Sequence, residues 1–319
     1  MKSRTALSSG PHDSFLAGRP GSDYPLCMIS DPHGESAIGV IGGSGLYEME
    51  GFSDIEALTV STPFGEPSDR VVTGRIGGRR VCFLPRHGVG HRVLPHEINH
   101  KANLWALRSL GVRWLISVTA VGSLREEIAP RDLVVPDQLI DRTGTQAKHT
   151  FFGRGIAAHV GFADPYCPDA RKVLLEAATR HTGRMHDGGT YVCMNGPAFS
   201  TRAEAHMHRL MGGAVIGMTN GPEVRLAREA EMSAAALALV TDYDCWKHGE
   251  ADVEVDAVIE NLHATSTLAK RVVQEAIGMI PETPCSPSHR ALDGAVFTPR
   301  ERWPAETAAD LAPILARFG

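Results

Sequence analysis

No run of apolar residues in the chain approaches the roughly 18 needed to cross a bilayer, which argues against a membrane-embedded protein. An excess of positive charge is missing too: 32 Lys and Arg face 37 Asp and Glu, for a net charge of −5. A chain so balanced carries no electrostatic footprint for nucleic acid or an anionic membrane surface. Cysteine is sparse and unpatterned. Its six positions, Cys27, Cys82, Cys167, Cys193, Cys245 and Cys285, form no C-x-x-C pair. Buried reduced thiols in a cytoplasmic protein are therefore expected, not a disulfide framework. Internal repeats and heptads are absent. Residues 1–31 mix Ser, Gly, Pro, Arg and Asp without an apolar core, unlike a secretory signal, and residues 1–35 read as a disordered extension. The whole chain has 43% hydrophobic and 22% charged residues, the composition of an ordinary soluble globule long enough to bury a full core.

Apolar runs of strand type recur, each closed by a small polar or glycine-rich segment. Ala37-Ile-Gly-Val-Ile41 runs into Gly42-Gly-Ser-Gly45, whose backbone N–H groups and hydroxyl suit an anion. The spacing fails the Gly-x-Gly-x-x-Gly, Gly-Lys-Ser/Thr and Gly-x-Ser-x-Gly fingerprints. Residues 71–84 read as a hairpin turning at Gly77-Gly78. The hairpin ends in Pro85-Arg86-His87-Gly88, a planar cation beside a tunable donor, again suited to an anion. Trp114-Leu-Ile-Ser-Val118 is a buried strand, with Thr119-Ala-Val-Gly-Ser123 as a second small-residue loop. Further strands are expected over 132–140, 189–194 and 214–218, and helices over 169–180, 202–211, 222–231 and 255–280. The tail over 282–319 is rich in proline and polar residues and reads as a weakly specified arm with one helix near 308–317. Strands alternating with helices specify the α/β class, a single domain over 36–281 with its sheet covered by helices on both faces.

Ala236-Leu-Ala-Leu-Val-Thr-Asp-Tyr-Asp-Cys-Trp246 is the most informative stretch. An apolar strand ends in two carboxylates spaced i, i+2, which on a strand share a face. They stand at the carboxyl end, where α/β proteins hold ligands. A solvated turn, a cation site and a paired acid–base site all remain open from these residues alone. His96-Glu-Ile-Asn-His100 matches His-Glu-x-x-His; on one helix its histidines would share a face and bind zinc. The extended form of that motif fails at Asn103 and Ala106. Segment 141–168, with Phe151, Phe152 and His159, is too long for a plain connection and is expected to be functional or to cover a partner.

Taken together, several segments resemble the trimeric purine nucleoside phosphorylase family, and within it the methylthioadenosine-cleaving branch. They are Gly42-Gly-Ser-Gly45, Arg86-His87-Gly88, Thr119-Ala-Val-Gly-Ser-Leu-Arg125, Gly196-Pro-Ala-Phe-Ser200, Gly217-Met-Thr219, Pro222-Glu223 and Thr241-Asp-Tyr-Asp-Cys-Trp246. The resemblance runs from about Ala37 to Ile280, and its specificity lies in seven motifs occurring jointly in order. It implies the nucleoside phosphorylase fold, a mixed and partly barrel-like sheet, and a homotrimer. It implies phosphorolysis, with inorganic phosphate as co-substrate and neither cofactor nor metal.

By the same resemblance, phosphate is expected on Ser44, Arg86, His87, Thr119, Thr219 and the Ala120 N–H, with the ribosyl ring near Met218 and Thr119. Asp242 is expected to protonate the purine at N7, Asp244 to accept from the N6 amine, and Ser200 to approach the base edge through water. Family members that act on 6-oxopurines carry Asn at the Asp242 position, so two aspartates imply an aminopurine. The 5′ group is expected against Val255, Val258, Phe199 and Met218, with His159 arriving from a neighbouring subunit. Relatives that bind a 5′-hydroxyl place histidine where Val255 stands. The chain departs from the pattern at Asn195, usually Glu, at Ala198, usually longer and polar, and at His100, commonly Tyr. Three other readings compete: a phosphorylase for adenosine, methylthioinosine or 6-oxopurine nucleosides, a zinc hydrolase on His96, Glu97 and His100, and a catalytically idle nucleoside-binding module.

Overall fold

A computed structural model of the chain describes residues 35–43, 45–46, 49–247, 254–281 and 286–318. Nearly all of the expected N-terminal extension, and Ser44, lie outside the described residues. The elements in order are β1 (Ala37–Gly42), β2 (Phe52–Leu58), β3 (Val71–Ile76), β4 (Arg79–Pro85), α1 (His100–Ser109), β5 (Val112–Ser123), β6 (Leu133–Val135), β7 (Gln138–Asp141) and α2 (Pro168–His181). They continue with β8 (Met185–Asp187), β9 (Thr190–Cys193), α3 (Arg202–Leu210), β10 (Gly213–Gly217), α4 (Asn220–Glu229), β11 (Ser233–Asp242), α5 (Val255–Met279), α6 (Ala305–Asp310) and α7 (Ala312–Leu315).

Strands β1, β5 and β11 are apolar on both sides because helices cover both faces of the sheet. Ile38, Val40, Trp114, Ile116, Val118, Leu237 and Leu239 pack with α2 and α5. The alternate residues Ala37, Ile41, Val112, Leu115, Ala234 and Ala236 pack with α1 and α4. The sheet is mixed, as expected, and runs β2-β3-β4-β1-β5-β10-β9-β7, with β11, β6 and β8 branching from β5; it is not closed.

The branch at β5 creates the feature that matters for the site. Strand β11 follows one edge of β5 from Trp114 to Gly122. The other edge is divided: β1 pairs with it from Val112 to Ser117, and β10 takes over at Gly122 and Ser123. Residues 118–121 have no strand opposite on that edge. The expected small-residue loop at 119–123 is thus the continuation of β5, a strand that looks like a loop in sequence because half of it borders a gap. The single strand expected over 132–140 is also two strands, β6 against β11 and β7 against β9.

The helix expected to carry His-Glu-x-x-His does not exist as one unit. Pro95–Glu97 form a 3-10 turn, Ile98 is extended, and α1 starts afresh at His100, where Asn99 caps it by accepting from the Ala102 N–H at 3.1 Å. His96 is exposed, Glu97 accepts from the Leu94 N–H at 3.0 Å, and His100 is buried edge-on against His149. The shared helical face that the zinc-hydrolase reading requires is absent.

The tail after Pro281 is better specified than its composition suggests. Leu292, Leu311, Ile314 and Leu315 are buried in the cluster that holds Leu104, Leu107 and Leu115. Arg317 forks onto the buried Glu231, which also accepts from the Leu292 N–H at 2.9 Å. The tail also pairs with the long segment: the His159 N–H donates to Ala295 O at 2.9 Å, and the Phe297 N–H donates to Ala157 O at 2.8 Å. Leu311→Ala should therefore cost about 2–5 kcal/mol, the range for a truncated core leucine, read as a lower urea midpoint with an unchanged slope. An unshifted midpoint would mean that the tail is merely tethered.

Candidate active site

The gap in β5 is where the ends of β1, β4 and β10 meet. The Arg86 N–H donates to Gly42 O at 2.9 Å, joining the ends of β4 and β1. The Arg86 side chain turns inward and is buried. Its Nε and Nη2 donate to the two oxygens of Glu223 at 2.5 and 3.0 Å, and Nη2 also donates to Ser117 Oγ at 2.9 Å. Nη1 donates to Val118 O at 2.9 Å, satisfying a carbonyl on the unpaired edge. The Ser117 hydroxyl donates to Glu223 Oε2 at 2.6 Å and accepts from Asn220 Nδ2 at 2.9 Å. Glu223 is wholly buried, yet the Arg86 guanidinium and the Ser117 hydroxyl outweigh burial and hold its carboxyl below the usual range. Sequence reasoning placed Arg86 here as a cation for an anion; the structure shows most of its fork committed within the protein, to Glu223, Ser117 and Val118. Nothing in the local sequence marks Glu223 as a partner 137 residues away.

The other expected anion-binding groups line the same gap. His87 follows Arg86, and its Nδ1 donates to Val93 O at 2.8 Å, which leaves Nε2 as the unprotonated nitrogen of a neutral ring. Burial, then the Arg86 charge, pushes His87 down to about 4. Thr119 is buried, and its hydroxyl donates to the Ala120 carbonyl at a long 3.3 Å. Ala120 lies two residues beyond Val118 and so presents its N–H to the same unpaired edge. Thr219 is the N-cap of α4 with no side-chain capping bond, so its hydroxyl is not spent on the helix. Met218 stands just before it, half-buried and close against Gly196.

Roughly 10 Å along β5 from Thr119, three strand residues on, the two aspartates meet over Gly122. A Cβ built there would lie 2.8 Å from Asp242 Oδ1 and 3.4 Å from Asp244 Cβ. The expected strand alternation is not what joins them. Strand β11 ends at Asp242, and Asp244 adopts φ +50°, so a turn brings its N–H onto Asp242 Oδ1 at 2.7 Å. Thr241 donates to the second oxygen, also at 2.7 Å. Burial raises the Asp242 carboxyl above its ordinary value against those two hydrogen bonds. Burial, with the Asp242 charge adding and the Ser200 hydroxyl opposing, pushes Asp244 up to about 6. Asp244 Oδ2 has no hydrogen-bond partner among the described residues. Cys245 donates to Ser200 O at 3.1 Å, linking this turn to the segment that carries Phe199 and Ser200.

Val255 and Val258 open α5, Val255 exposed and Val258 half-buried. Asn261, one turn beyond Val258, donates to Thr241 O at 2.7 Å and so fixes the helix start near the aspartates. Phe199 is exposed, as is His159, whose ring stacks edge-on against Phe297 of the tail at 5.3 Å. Among the described residues no hydrogen bond or ring contact joins His159 to Asp242, Asp244, Thr119 or Thr219.

The model of the phosphorylase superfamily matches residues 37–278. The chain belongs to this superfamily. Its α/β architecture is shared with solved members. A methylthioadenosine phosphorylase from an antarctic soil metagenomic library superimposes with a TM-score of 0.84 at 48% identity, covering 88% of this chain and 99% of that one. The methylthioadenosine phosphorylase of Schistosoma mansoni, in complex with adenine, gives 0.73 at 35% identity over 88% and 98%. Among curated sequences, the S-methyl-5′-thioadenosine phosphorylase of Geobacter sulfurreducens is 51% identical over 284 residues, 89% of this chain and 99% of its own length. That of Hyperthermus butylicus is 47% identical over 254 residues, 79% and 92% respectively.

In this superfamily member the raised Asp244 has a consequence for stability. Its folded value, about 6, lies above the ordinary 3.8. The folded state therefore holds the proton more tightly, a stabilisation present below the ordinary value and lost as pH rises through 6. The melting temperature of the protein minus that of Asp244→Asn should fall between about pH 4 and 6 and be flat above. A difference that is constant across this window would show that Asp244 titrates normally.

Proposed function

We propose that the protein cleaves the N-glycosidic bond of 5′-methylthioadenosine with inorganic phosphate, giving adenine and 5-methylthioribose 1-phosphate. The observation that carries this is the pairing of a buried carboxyl, Asp242 over Gly122, which burial shifts upward, with an anion-ready gap in β5 at Thr119 and Ala120. The relatives' names support the substrate. Phosphate lies in the gap on Thr119, Thr219 and the Ala120 N–H, with His87 Nε2 accepting from a protonated phosphate oxygen; Ser44, expected on phosphate as well, lies outside the described residues. Arg86 contributes the second N–H of Nη1 and, through Glu223, holds the strand ends in place. One phosphate oxygen attacks C1′ while the bond from C1′ to the purine breaks, and the electron pair leaves on the base. Asp242 delivers a proton to N7, so the base departs neutral. The positive charge that develops on the ribosyl ring is stabilised by the phosphate anion beside it. Asp244 accepts from the exocyclic amine, and Ser200 supports the base edge.

Phe199, Val255 and Ile259, and Phe297 beside His159, stay exposed in a single chain. A homotrimer in which each copy's His159 segment covers the next copy's Val255 and Val258 buries some of this surface and completes an apolar 5′ pocket. The site is served by small-molecule nucleoside and phosphate, and the free thiols Cys82, Cys167, Cys193 and Cys245 suit a cytoplasmic setting.

Release of adenine from 5′-methylthioadenosine should require phosphate, and Asp242→Ala should lower the rate by about two to four orders of magnitude. Phosphate-independent release, or near-normal turnover of the variant, would overturn the mechanism. The apolar 5′ pocket predicts a kcat/KM at least about tenfold higher for 5′-methylthioadenosine than for adenosine, because a 5′-hydroxyl there loses its water without gaining a partner. Val255→His should narrow that ratio, whereas an unmodified protein that treats both alike would refute the pocket.

A further inference from the structure

Tyr191 lies on β9 between β10 and β7, paired with Val215 and Leu139, and is 0% exposed. Its hydroxyl makes no hydrogen bond of ordinary geometry among the described residues. A buried phenol without a partner is unusual and costly, since buried tyrosine hydroxyls normally find an acceptor. The position of this oxygen is set by Gly217, one residue before Met218. A Cβ on Gly217 would lie 2.0 Å from the Tyr191 oxygen and 3.3 Å from Val121 Cγ1. The phenol therefore fills the volume that a side chain at 217 would occupy. Val121 and Thr119 share one face of β5, two residues apart. Thr119 thus lies on the face of β5 that meets the phenol, and its hydroxyl opposes the rise that burial imposes on Tyr191.

The Thr119 hydroxyl spends its proton on the Ala120 carbonyl at 3.3 Å, a bond long enough to be given up readily. We propose that Tyr191 is a positioning residue for phosphate, donating to Thr119 Oγ1 and so turning the Thr119 proton toward the bound anion. A threonine hydroxyl has one proton and two lone pairs. When a buried donor occupies a lone pair, the hydroxyl faces the anion as a donor and not as a repelling lone pair, and the two bonds strengthen each other. The inference rests on the assignment of Thr119 to phosphate in the proposed function.

Tyr191→Phe removes only the oxygen and keeps the ring, so folding is preserved. The KM for phosphate should rise about three- to tenfold, the effect of one hydrogen bond, while the KM for the nucleoside stays within about twofold of its value. The melting temperature should be unchanged or higher, because an unpartnered buried hydroxyl is removed. Thr119→Val should raise the phosphate KM by itself, and adding Tyr191→Phe to it should change nothing further. If Thr119→Val raises the phosphate KM but Tyr191→Phe does not, the inference is overturned and the phosphorolysis reading stands. A Tyr191→Phe variant that weakens both substrates equally and melts lower would make the residue structural only. If neither variant moves the phosphate KM, the assignment of Thr119 and this inference fall together.

Discussion

The site depends on one buried ion pair. Arg86 and Glu223 lie in a region sealed from water, where an unpaired charge would cost several kcal/mol. Each therefore needs the other, and their pairing fixes where their elements end. Arg86 sits at the close of β4 and Glu223 in the first turn of α4, and Ser117 and Asn220 bind the same carboxylate from β5 and from the start of α4. The remaining arm of the fork reaches the Val118 carbonyl on the edge that no strand covers. A gap in a sheet would normally be an energetic liability, because backbone groups there lack partners. Here the guanidinium meets one of them and leaves the Ala120 N–H and the Thr119 and Thr219 hydroxyls facing the same space.

This arrangement divides labour along a single strand. At one end of the gap, charges cancel internally and neutral polar groups collect, among them a histidine that burial and Arg86 keep neutral, with Nε2 as an acceptor. At the other, two carboxylates share a glycine-floored space and are both pushed toward holding a proton. The rigidity of β5, paired on one edge throughout and on the other at both ends, sets the spacing between the two groups of residues. The other candidate site groups stand at the borders of that strand: the turn at Asp244, the segment at Phe199 and Ser200, and the first turn of α5.

The α/β class, the sheet covered on both faces, most of its strands and the four long helices α2 to α5 were legible because each follows from periodicity and composition. Apolar runs such as 37–41 and 236–240 have few alternatives to buried strands, and the stripe through Val272 and Ala276 has few alternatives to a packed helix. The motif resemblance also singled out the aspartates, Thr119 and Thr219 as candidates. Three features were misread for a common reason. Residues 119–123 look like a loop by composition, His96 to His100 look like one helix by spacing, and the tail looks weakly specified by its prolines. In each case long-range pairing overrode the local signal: β11 holds 119–122 as strand, Asn99 restarts the helix, and the buried Glu231 draws in Arg317 and Leu292.

By itself the sequence determined which chemical groups are available and which backbone segments carry them, because propensity, periodicity and motif order are local properties of the chain. Only the tertiary structure decided what those groups are spent on. That Arg86 is tied to Glu223, that Asp244 leans on Asp242 through a turn, and that the Tyr191 oxygen occupies the missing side chain of Gly217 are contacts between residues far apart or strained into place. Charge, burial and free hydrogen-bonding capacity belong to a point in space, and only the folded chain specifies which residues share that point.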